Sequence, residues 1–176
     1  MIELIRTSSI AESAEFATEV GALLNDAFPD GAPNELSGYY SRHGIPTTTL
    51  LLRDGRRAVG HLAIFERHIK IGNASQEVGL LGEIAIAADR RRAGLARGLV
   101  QDAHAHLKER SIPFSILFAY DPRVYASSGY KLMPNKVRFL DADGQWKTFV
   151  YRGSMYAELL GRPWPSQLID LCGPVV

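Results

Sequence analysis

Three consecutive arginines stand between an apolar segment and a segment with helical spacing, and this arrangement is suited to binding phosphate. The arginines are Arg90, Arg91 and Arg92, and they are followed by Ala93-Gly94-Leu95-Ala96. The first turn of a helix leaves main-chain N–H groups without partners and carries the positive end of the helix dipole, so it is a site for anions. Gly94 and Ala96 carry little or no side chain, so an anion can approach the main chain closely.

The segments on either side of the arginines predict the elements that hold them. Ile84 and Ile86 are β-branched and share one face of a strand, while Ala85 and Ala87 occupy the other, so both faces can be covered. Beyond Gly94, apolar residues recur four apart and mark one stripe of a helix; they are Leu95, Leu99, Ala103 and Leu107. An alternative explanation needs no ligand: small residues are also favoured where a helix packs on a sheet, and basic residues are common on solvated surfaces. Spacing alone therefore leaves phosphate binding and plain packing both open.

Earlier in the chain, the pattern predicts a helix followed by an antiparallel meander. Strands are predicted at 2–6, 47–53, 57–71 and 76–87, with turns at Asp54-Gly55 and Gly72-Asn73. A helix is predicted between a capping box at Ser9–Glu12 and a turn at 29–31. Residues 33–43 are ambiguous between a short helix and a loop. The acidic and aromatic residues of that region form either a packed polar surface or one wall of an acceptor site; they are Asp30, Glu35, Tyr39 and Tyr40.

After the main helix, the pattern returns to strands. Residues 113–120 are predicted as a strand and 121–128 as a short helix, and the last pair of strands is predicted at 130–139 and 145–151 around Asp143-Gly144. The tail at 155–176 is predicted to mix a short helix with a proline-rich loop. Because a helix links the strand at 76–87 to the strand at 113–120, these two strands are predicted to be parallel.

Composition and charge exclude several classes of protein. The 176 residues suffice for one domain with its own core, and 46% hydrophobic and 22% charged residues are typical of a globular protein. A formal net charge of +1 argues against a general nucleic-acid binder. No apolar run approaches membrane-spanning length, no secretory signal is visible, and the single cysteine, Cys172, cannot form an internal disulfide. We therefore expect a cytoplasmic protein without nucleic-acid or membrane partners.

Arg91, Gly94 and Ala96 form the pattern R-x-x-G-x-A, which resembles the acyl-CoA-binding motif Q/R-x-x-G-x-G/A of the GNAT superfamily of N-acyltransferases. The predicted element order, β-α-α-β-β-β-α-β-α-β-β, is also similar to that of the GNAT fold. The resemblance implies an α/β fold with a central mixed, splayed sheet in three α/β/α layers, forming a single domain over 1–176. Its parts would be a strand with the acceptor-side helices at 1–46, the meander and CoA-binding core at 47–110, and the C-terminal half at 111–176.

The segment DPRVYASSGYKLM at 121–133 is similar to a second landmark of the family, in which a tyrosine on a short helix is followed by G-[FY]. The match here is Tyr125 with Gly129-Tyr130. Acyl transfer from a thioester needs the leaving thiolate stabilised, and a phenol near the sulfur can donate a hydrogen bond or a proton to it. The resemblance implies this acid role for Tyr125. The alternative is an aromatic side chain that only packs between helix and sheet.

The resemblance also implies which residues bind acetyl-CoA, or another acyl-CoA, as co-substrate. In the family two parallel strands splay apart, and the pantetheine arm pairs with main-chain groups that would here belong to Ile84, Ala85 and Ile86. An N–H there can stabilise the developing oxyanion, and Gly82 is the position at which we expect an associated bulge. The diphosphate would lie at the start of the helix, against Arg91, Arg92, Ala93, Gly94, Leu95 and Ala96. Two positions depart from the family pattern, Ala88 in place of a common proline and Ala96 in place of the second glycine.

An amine is protonated at neutral pH, so its attack on the thioester needs the proton removed. Glu83 is the candidate base, directly or through water, because it lies one residue before the apolar centre of the strand. Glu77 is a poorer candidate because it lies further from the turn. The alternatives are a reaction that uses ordered water without a side-chain base, and a Glu83 that is purely structural.

No metal site and no nucleotide-binding loop is predicted. His104 and His106 are two apart on a helix, and His61 and His68 lie on opposite faces of a strand, so neither pair can easily hold one ion. The motifs G-x-x-x-x-G-K and G-x-S-x-G are absent from the sequence.

The resemblance implies an acyl-CoA-dependent N-acetyltransferase that acetylates a primary amine of a small molecule or peptide by direct attack. Two alternatives stand. The segments RHIKIGN and WPSQLIDLCGPVV are similar to the nodulation N-acyltransferases, which place a long acyl chain on an amino sugar. Some GNAT-fold proteins have also lost catalysis and serve to bind or sense CoA. The sequence does not specify the acceptor or the acyl length, and if the protein forms a homodimer, we expect it to do so through the C-terminal strands.

Overall fold

The structure, a computed structural model, describes residues 1–8, 14–29 and 44–176. The predicted capping box at Ser9–Glu12, the end of the turn at 29–31, the ambiguous segment at 33–43 and the acidic and aromatic group at 30–40 lie outside these residues.

Within the described residues the chain forms a mixed sheet with helices, as predicted. The strands are β1 (Ile2–Thr7), β2 (Thr48–Asp54), β3 (Arg57–Ile71), β4 (Ala74–Ile86), β5 (Phe114–Phe118), β6 (Lys131–Leu132), β7 (Val137–Leu140), β8 (Trp146–Phe149), β9 (Ser154–Glu158) and β10 (Ile169–Pro174). The helices are α1 (Ala14–Ala27), α2 (Leu95–Glu109) and α3 (Arg123–Ala126), and a 3-10 turn covers Ala88–Arg90. No helix among these is long and apolar enough to cross a membrane.

The chain falls into two compact units, and each is built from two separate stretches. The first unit comprises Met1–Phe65 and Gly82–Ala103, and the second comprises Glu66–Leu81 and His104–Val176. Strands β3 and β4 and helix α2 each contribute residues to both units. The prediction of a single domain over 1–176 stays a prediction.

In the first unit, β2 lies between β1 and β3 and pairs antiparallel with both. The turn between β2 and β3 is the predicted one, with Asp54 opposite Arg57 in the register. Gly55 supplies the left-handed backbone that this turn needs, at a φ of 63°. Apolar side chains of β2 and β3 are buried, which explains why the runs TTTLLL and AVGHLAIF form interior strands.

Helix α1 is fixed to the first unit by one apolar face and one charged contact. Val20 and Leu24 are buried on that face, as the helical spacing predicts. On the other side, Arg53 of β2 binds the Glu19 carboxylate of α1 with a closest approach of 2.7 Å, and both side chains are largely shielded from solvent.

In the second unit, the hydrogen-bonded strand order is β6-β9-β5-β4-β3-β10-β7-β8. Strand β5 runs parallel to β4, with Gly79 opposite Ser115 and Leu81 opposite Leu117, so the predicted parallel pair is confirmed. Strand β9 then covers the free edge of β5 in the antiparallel sense.

The tail corrects the sequence prediction, because it forms two strands in place of a short helix and a loop. Strand β9 buries Met155 and Ala157, and β10 buries Ile169 and Leu171. Strand β10 lies between β3 and β7, antiparallel to the first and parallel to the second. At its exposed Cys172 the backbone takes a φ of 52°, and the amide N–H donates to the Asp170 carboxylate at 2.9 Å.

Helix α2 packs closely on β4 in the second unit because Gly79 has no side chain. A Cβ built on Gly79 would overlap with Cδ1 of Leu107. We therefore expect Gly79→Val to lower the free energy of unfolding by about 1–3 kcal/mol, the usual cost of overpacking. Chemical denaturation measures this change.

The control for that prediction is Gly98→Ala, in helix α2, which also carries Leu107. A Cβ at Gly98 meets nothing within 4 Å, so alanine should raise the free energy of unfolding by up to about 1 kcal/mol through helix propensity. Equal stability of Gly79→Val and the unmodified protein would contradict the close contact between Leu107 and the strand.

Candidate functional site

The junction between β4 and α2 has the backbone shape of an exposed helix start. After the 3-10 turn, Arg92 and Gly94 both take left-handed conformations, with φ of 65° and 78°. The Gly94 carbonyl accepts a hydrogen bond from Gly98 N–H at 3.0 Å, so the helical bonding begins there. The N–H groups of the first turn consequently have no acceptor within the helix. The sequence-predicted order of strand, basic turn and helix is confirmed.

A cavity of about 210 Å³ lies at this helix start. It is lined by Ile86, Arg90, Arg91, Arg92, Gly94, Leu95, Ala96 and Arg97. A Cβ at Gly94 would meet nothing within 4 Å, so the space over the main chain is open. A tetrahedral anion can therefore reach the N–H groups without displacing any side chain.

The arginines around this cavity are not equivalent. Arg90 is neutralised by Asp54, whose carboxylate accepts a 2.6 Å bond from it. The Nε of Arg91 donates to the Ile86 carbonyl at 3.1 Å, which fixes the side chain without removing its charge. In the part of the chain that the structure describes, Arg92 and Arg97 form no ion pair with a carboxylate. Three positive side chains are thus available to an anion, and sequence reasoning missed one of them, Arg97.

The predicted CoA-binding residues fall into three groups. Ile86, Arg91, Arg92, Gly94, Leu95 and Ala96 come together around the cavity. Ala93 belongs to the same loop but does not line the cavity. Ile84 and Ala85 lie upstream in β4, where Ile84 is half-buried and Ala85 is buried. The isoleucine face of this strand is therefore the one that remains partly accessible.

Strand β4 has an irregular backbone conformation at Glu83, the residue after Gly82, where a bulge is predicted. Glu83 has a φ of 52°, a left-handed conformation that is unusual for a residue with a side chain. Gly82 has no such conformation. The ladder that β4 forms with β5 ends at Leu81, two residues earlier. The Glu83 side chain is buried.

A histidine side chain contacts the backbone of that irregular point. Nδ1 of His61 lies 2.8 Å from the Glu83 carbonyl oxygen. The imidazole is fully buried, and burial lowers the pKa of His61 despite the nearby Glu83 charge. Sequence reasoning considered this histidine only as a metal ligand. The signal that could have singled it out is a lone polar residue inside the buried run AVGHLAIF.

Tyr125 lies on α3 in the second unit, and local hydrogen bonds shape this short helix. The Asp121 carboxylate accepts from the Arg123 amide at 3.1 Å and from the Arg123 guanidinium at 2.9 and 2.8 Å. The Tyr125 ring meets the Tyr130 ring edge-on, with centroids 6.3 Å apart. Burial raises the pKa of Tyr125. The phenol therefore stays protonated at neutral pH and can act as a donor.

Tyr130 of the predicted Gly129-Tyr130 pair belongs to a buried hydrogen-bond chain that the sequence did not reveal. Its hydroxyl lies 2.5 Å from the Ser115 hydroxyl and 3.1 Å from Nε2 of His104. Burial raises the pKa of the Tyr130 phenol, and it lowers the pKa of His104 to about 4. These hydrogen bonds fix the Tyr130 ring, on which the Tyr125 ring packs.

We expect the depressed pKa of His104 to make the protein acid-sensitive. The pKa is about 4 in the folded protein against an ordinary value of 6.5, so the unfolded chain binds more protons between these values. The stabilising contribution is therefore complete above pH 6.5 and is lost as the pH falls towards 4, by at most about 1.4 kcal/mol per pH unit. Unfolding free energies measured across this window should rise with pH.

The variant for this test is His104→Gln, which does not titrate but can still bind the Tyr130 hydroxyl. Its stability should depend less on pH than that of the unmodified protein. His68→Gln is the control because His68 is exposed. Identical pH slopes for His104→Gln and the unmodified protein would show that His104 is not the group responsible.

The histidines have separate partners, and no described group of three His, Cys, Asp or Glu residues is arranged to hold a metal ion. His104 contacts Tyr130, whereas His106 contacts the Glu66 carboxylate at 3.1 Å. His61 is buried and His68 is exposed, which agrees with the prediction that they lie on opposite faces of β3.

A larger cavity of about 620 Å³ lies in the first unit, between α1 and the start of β3. Its charged residues largely satisfy one another. Arg57 makes two bonds to the Asp89 carboxylate, at 2.9 and 2.8 Å, and Glu19 is held by Arg53. The hydrogen bond from Arg57 lowers the pKa of Asp89. The smaller cavity at the helix start is therefore the better anion site, because its arginines are less neutralised.

Comparison with known proteins gives a family match and a set of similar folds. Residues 10–133 match the family model described as "Acetyltransferase (GNAT) domain". No curated protein matches the chain. A GNAT-family N-acetyltransferase from Escherichia coli, YhbS, solved in complex with CoA, is 18% identical with a TM-score of 0.68, over 97% of this chain and 88% of that chain.

Two further solved structures show the same similarity of fold. A GNAT-family acetyltransferase from Brucella melitensis, in complex with acetyl-CoA, is 17% identical with a TM-score of 0.66, over 96% of this chain and 94% of that one. A GCN5-related N-acetyltransferase from Anabaena variabilis is 21% identical with a TM-score of 0.63, and the match covers 76% of this chain. It covers 33% of the Anabaena chain, so the present chain spans about a third of that protein's length.

Proposed function

The chain belongs to the GNAT acetyltransferase family, and from that premise we propose that it transfers an acetyl group from acetyl-CoA to a primary amine of a small molecule or a peptide. The observation that carries the proposal is the open cavity at the start of α2. There Arg91, Arg92 and Arg97 surround a helix terminus whose Gly94 leaves the main chain accessible.

The residues of this cavity fit the diphosphate of CoA. The N–H groups at the start of α2 would donate to the phosphate oxygens, and the guanidinium groups would balance their negative charge. The Ile84 and Ile86 side would face the pantetheine arm, whose amides would pair with the main chain of β4. The CoA and acetyl-CoA complexes of the similar YhbS and Brucella proteins support this assignment.

Starting from the ammonium group, two protons leave the nitrogen, one before the attack and one after the nitrogen has bonded to the acyl carbon. One proton is delivered to the sulfur, so one is released to solvent overall. The amine nitrogen forms a bond to the acyl carbon while the carbon–sulfur bond breaks. We assign Glu83 to take the proton from the ammonium group, directly or through water, and Tyr125 to donate one to the departing thiolate. The raised pKa of Tyr125 supports its role as a donor at neutral pH.

Two measurements in sequence test the proposed function. Thermal melting with and without acetyl-CoA tests binding, since a ligand at 100 times its Kd stabilises the fold by about 2.7 kcal/mol. Release of CoA thiol in the presence of a panel of amines then tests transfer. The panel contains amino sugars, polyamines, amino acids and peptides, each offered with acetyl-CoA and with a long-chain acyl-CoA.

Each outcome separates two functions. Stabilisation by acetyl-CoA with amine-dependent thiol release supports the transferase. Stabilisation without thiol release from any amine indicates a protein that only binds or senses CoA. An unchanged melting temperature at saturating acetyl-CoA contradicts both.

A further inference from the structure

We propose that His61 is a positioning residue of the acyl-transfer site, which holds the Glu83 carbonyl and thereby aims the Ile84 N–H at the acyl oxygen of the thioester. The inference rests on the proposed function, because it assigns a task within that reaction. Three observations in the first unit carry it. They are the 2.8 Å contact between His61 and Glu83, the left-handed φ of Glu83 and the complete burial of His61.

The contact defines which nitrogen of His61 carries a proton. A carbonyl oxygen can only accept a hydrogen bond, so the Nδ1 atom that faces it must be the donor. Burial lowers the pKa of His61, so the ring is neutral at physiological pH. Nε2 is then unprotonated, and the imidazole is held in a single tautomer.

A side chain that fixes a carbonyl also fixes the N–H that follows it. The Glu83 carbonyl and the Ile84 amide belong to one planar trans peptide unit, in which C=O and N–H point in opposite directions. At a φ of 52°, Glu83 turns away from the regular strand conformation, at a cost of roughly 1–2 kcal/mol for a residue with a side chain. The bond from His61 is one of the contacts that can hold this conformation.

Packing alone does not explain a histidine at this position. Nε2 of His61 is buried and has no hydrogen-bond partner in the described part of the chain, which costs about 1–3 kcal/mol. The residue opposite on β2 is the buried Leu51, and an apolar side chain at position 61 would avoid the cost. What histidine adds over leucine is the bond to the Glu83 carbonyl.

The test compares three substitutions at one position. Asparagine can place its amide nitrogen near the position of Nδ1, glutamine places it nearer to Nε2, and leucine has no donor. We expect His61→Leu and His61→Gln to lower kcat roughly 10- to 100-fold, somewhat less than complete loss of an oxyanion donor. KM for acetyl-CoA should stay nearly unchanged, and His61→Asn should recover most of the lost kcat. His68→Leu, on the same strand but exposed, is the matched control.

A second measurement needs no substitution. Nitrogen NMR of the unmodified protein should show His61 with its proton on Nδ1 and none on Nε2. A proton found on Nε2 alone, or equal kcat for the leucine, glutamine and asparagine variants, would overturn the inference. Failure of the proposed function looks different, because the unmodified protein would then release no thiol from acetyl-CoA with any amine.

Discussion

Gly94→Glu is expected to raise the Kd for acetyl-CoA by at least about 100-fold while the protein stays folded. Nothing within 4 Å meets a Cβ at Gly94, so the glutamate has room and places its carboxylate at the cavity that begins α2. Two like charges about 5 Å apart in an effective dielectric of about 20 repel by roughly 3 kcal/mol, and about 1.4 kcal/mol is a factor of ten in affinity. Titration calorimetry measures the affinity, and thermal melting of the free protein measures the fold.

Two controls separate charge from backbone strain. Gly94→Gln has the size of glutamate and carries the same strain at the left-handed backbone of Gly94, but introduces no charge, so it should weaken binding much less. Gly98→Glu adds the same charge one turn later in the helix, where a Cβ also meets nothing within 4 Å. Undiminished binding by Gly94→Glu would mean that the diphosphate does not lie at this helix start.

Tyr125→Phe is expected to lower kcat by roughly 100-fold or more, the usual contribution of a general acid, with little change in KM for acetyl-CoA. Phenylalanine keeps the ring that packs on Tyr130, with centroids 6.3 Å apart, so the fold should not change. Only the hydroxyl is lost. Because burial raises the pKa of Tyr125 above the ordinary value of 10.0, loss of the phenol proton should not reduce activity below about pH 10.

The control for this substitution is Tyr120→Phe. Tyr120 belongs to the same unit but is fully exposed, so removal of its hydroxyl should leave turnover unchanged. Steady-state rates of thiol release at saturating amine give kcat for both variants. If Tyr125→Phe turned over as fast as the unmodified protein, water or another group would protonate the leaving thiolate.

The local patterns of the sequence were sufficient for most of the fold. The bounds of β3, 57–71, agree with the structure because Asp54-Gly55 and Gly72-Asn73 mark both ends. The tail was different, because Pro163, Pro165 and Gly161 are typical of loops and hide the two short strands. Strand β10 exists because β3 and β7 are available on either side of it, and a pairing of that kind leaves little local signal.

In the candidate site too, features that depend on residues close in sequence were predicted, and features that depend on residues far apart in sequence were not. The helix start at Gly94 depends on neighbouring residues, so small side chains and basic residues were enough to predict it. The bond from His61 to Glu83 joins positions 22 residues apart and a side chain to a main-chain atom. The lone histidine in the buried run AVGHLAIF marks position 61, but no residue type marks the main-chain atom that it contacts. The same holds for the contact of Tyr130, just before β6, with Ser115 of β5 and His104 of α2.

The exposed thiol of Cys172 allows the protein concentration to be measured in the same assay that follows CoA release. It is the one cysteine of the 176 residues, and it lies at the surface of β10. A chromogenic disulfide reagent used to detect the CoA thiol also reacts with Cys172, one equivalent per protein molecule. Because this thiol is present before any CoA is released, its reaction gives an early phase that precedes the signal from turnover. The amplitude of the early phase counts protein molecules, and the later slope divided by it gives the rate per molecule from a single trace.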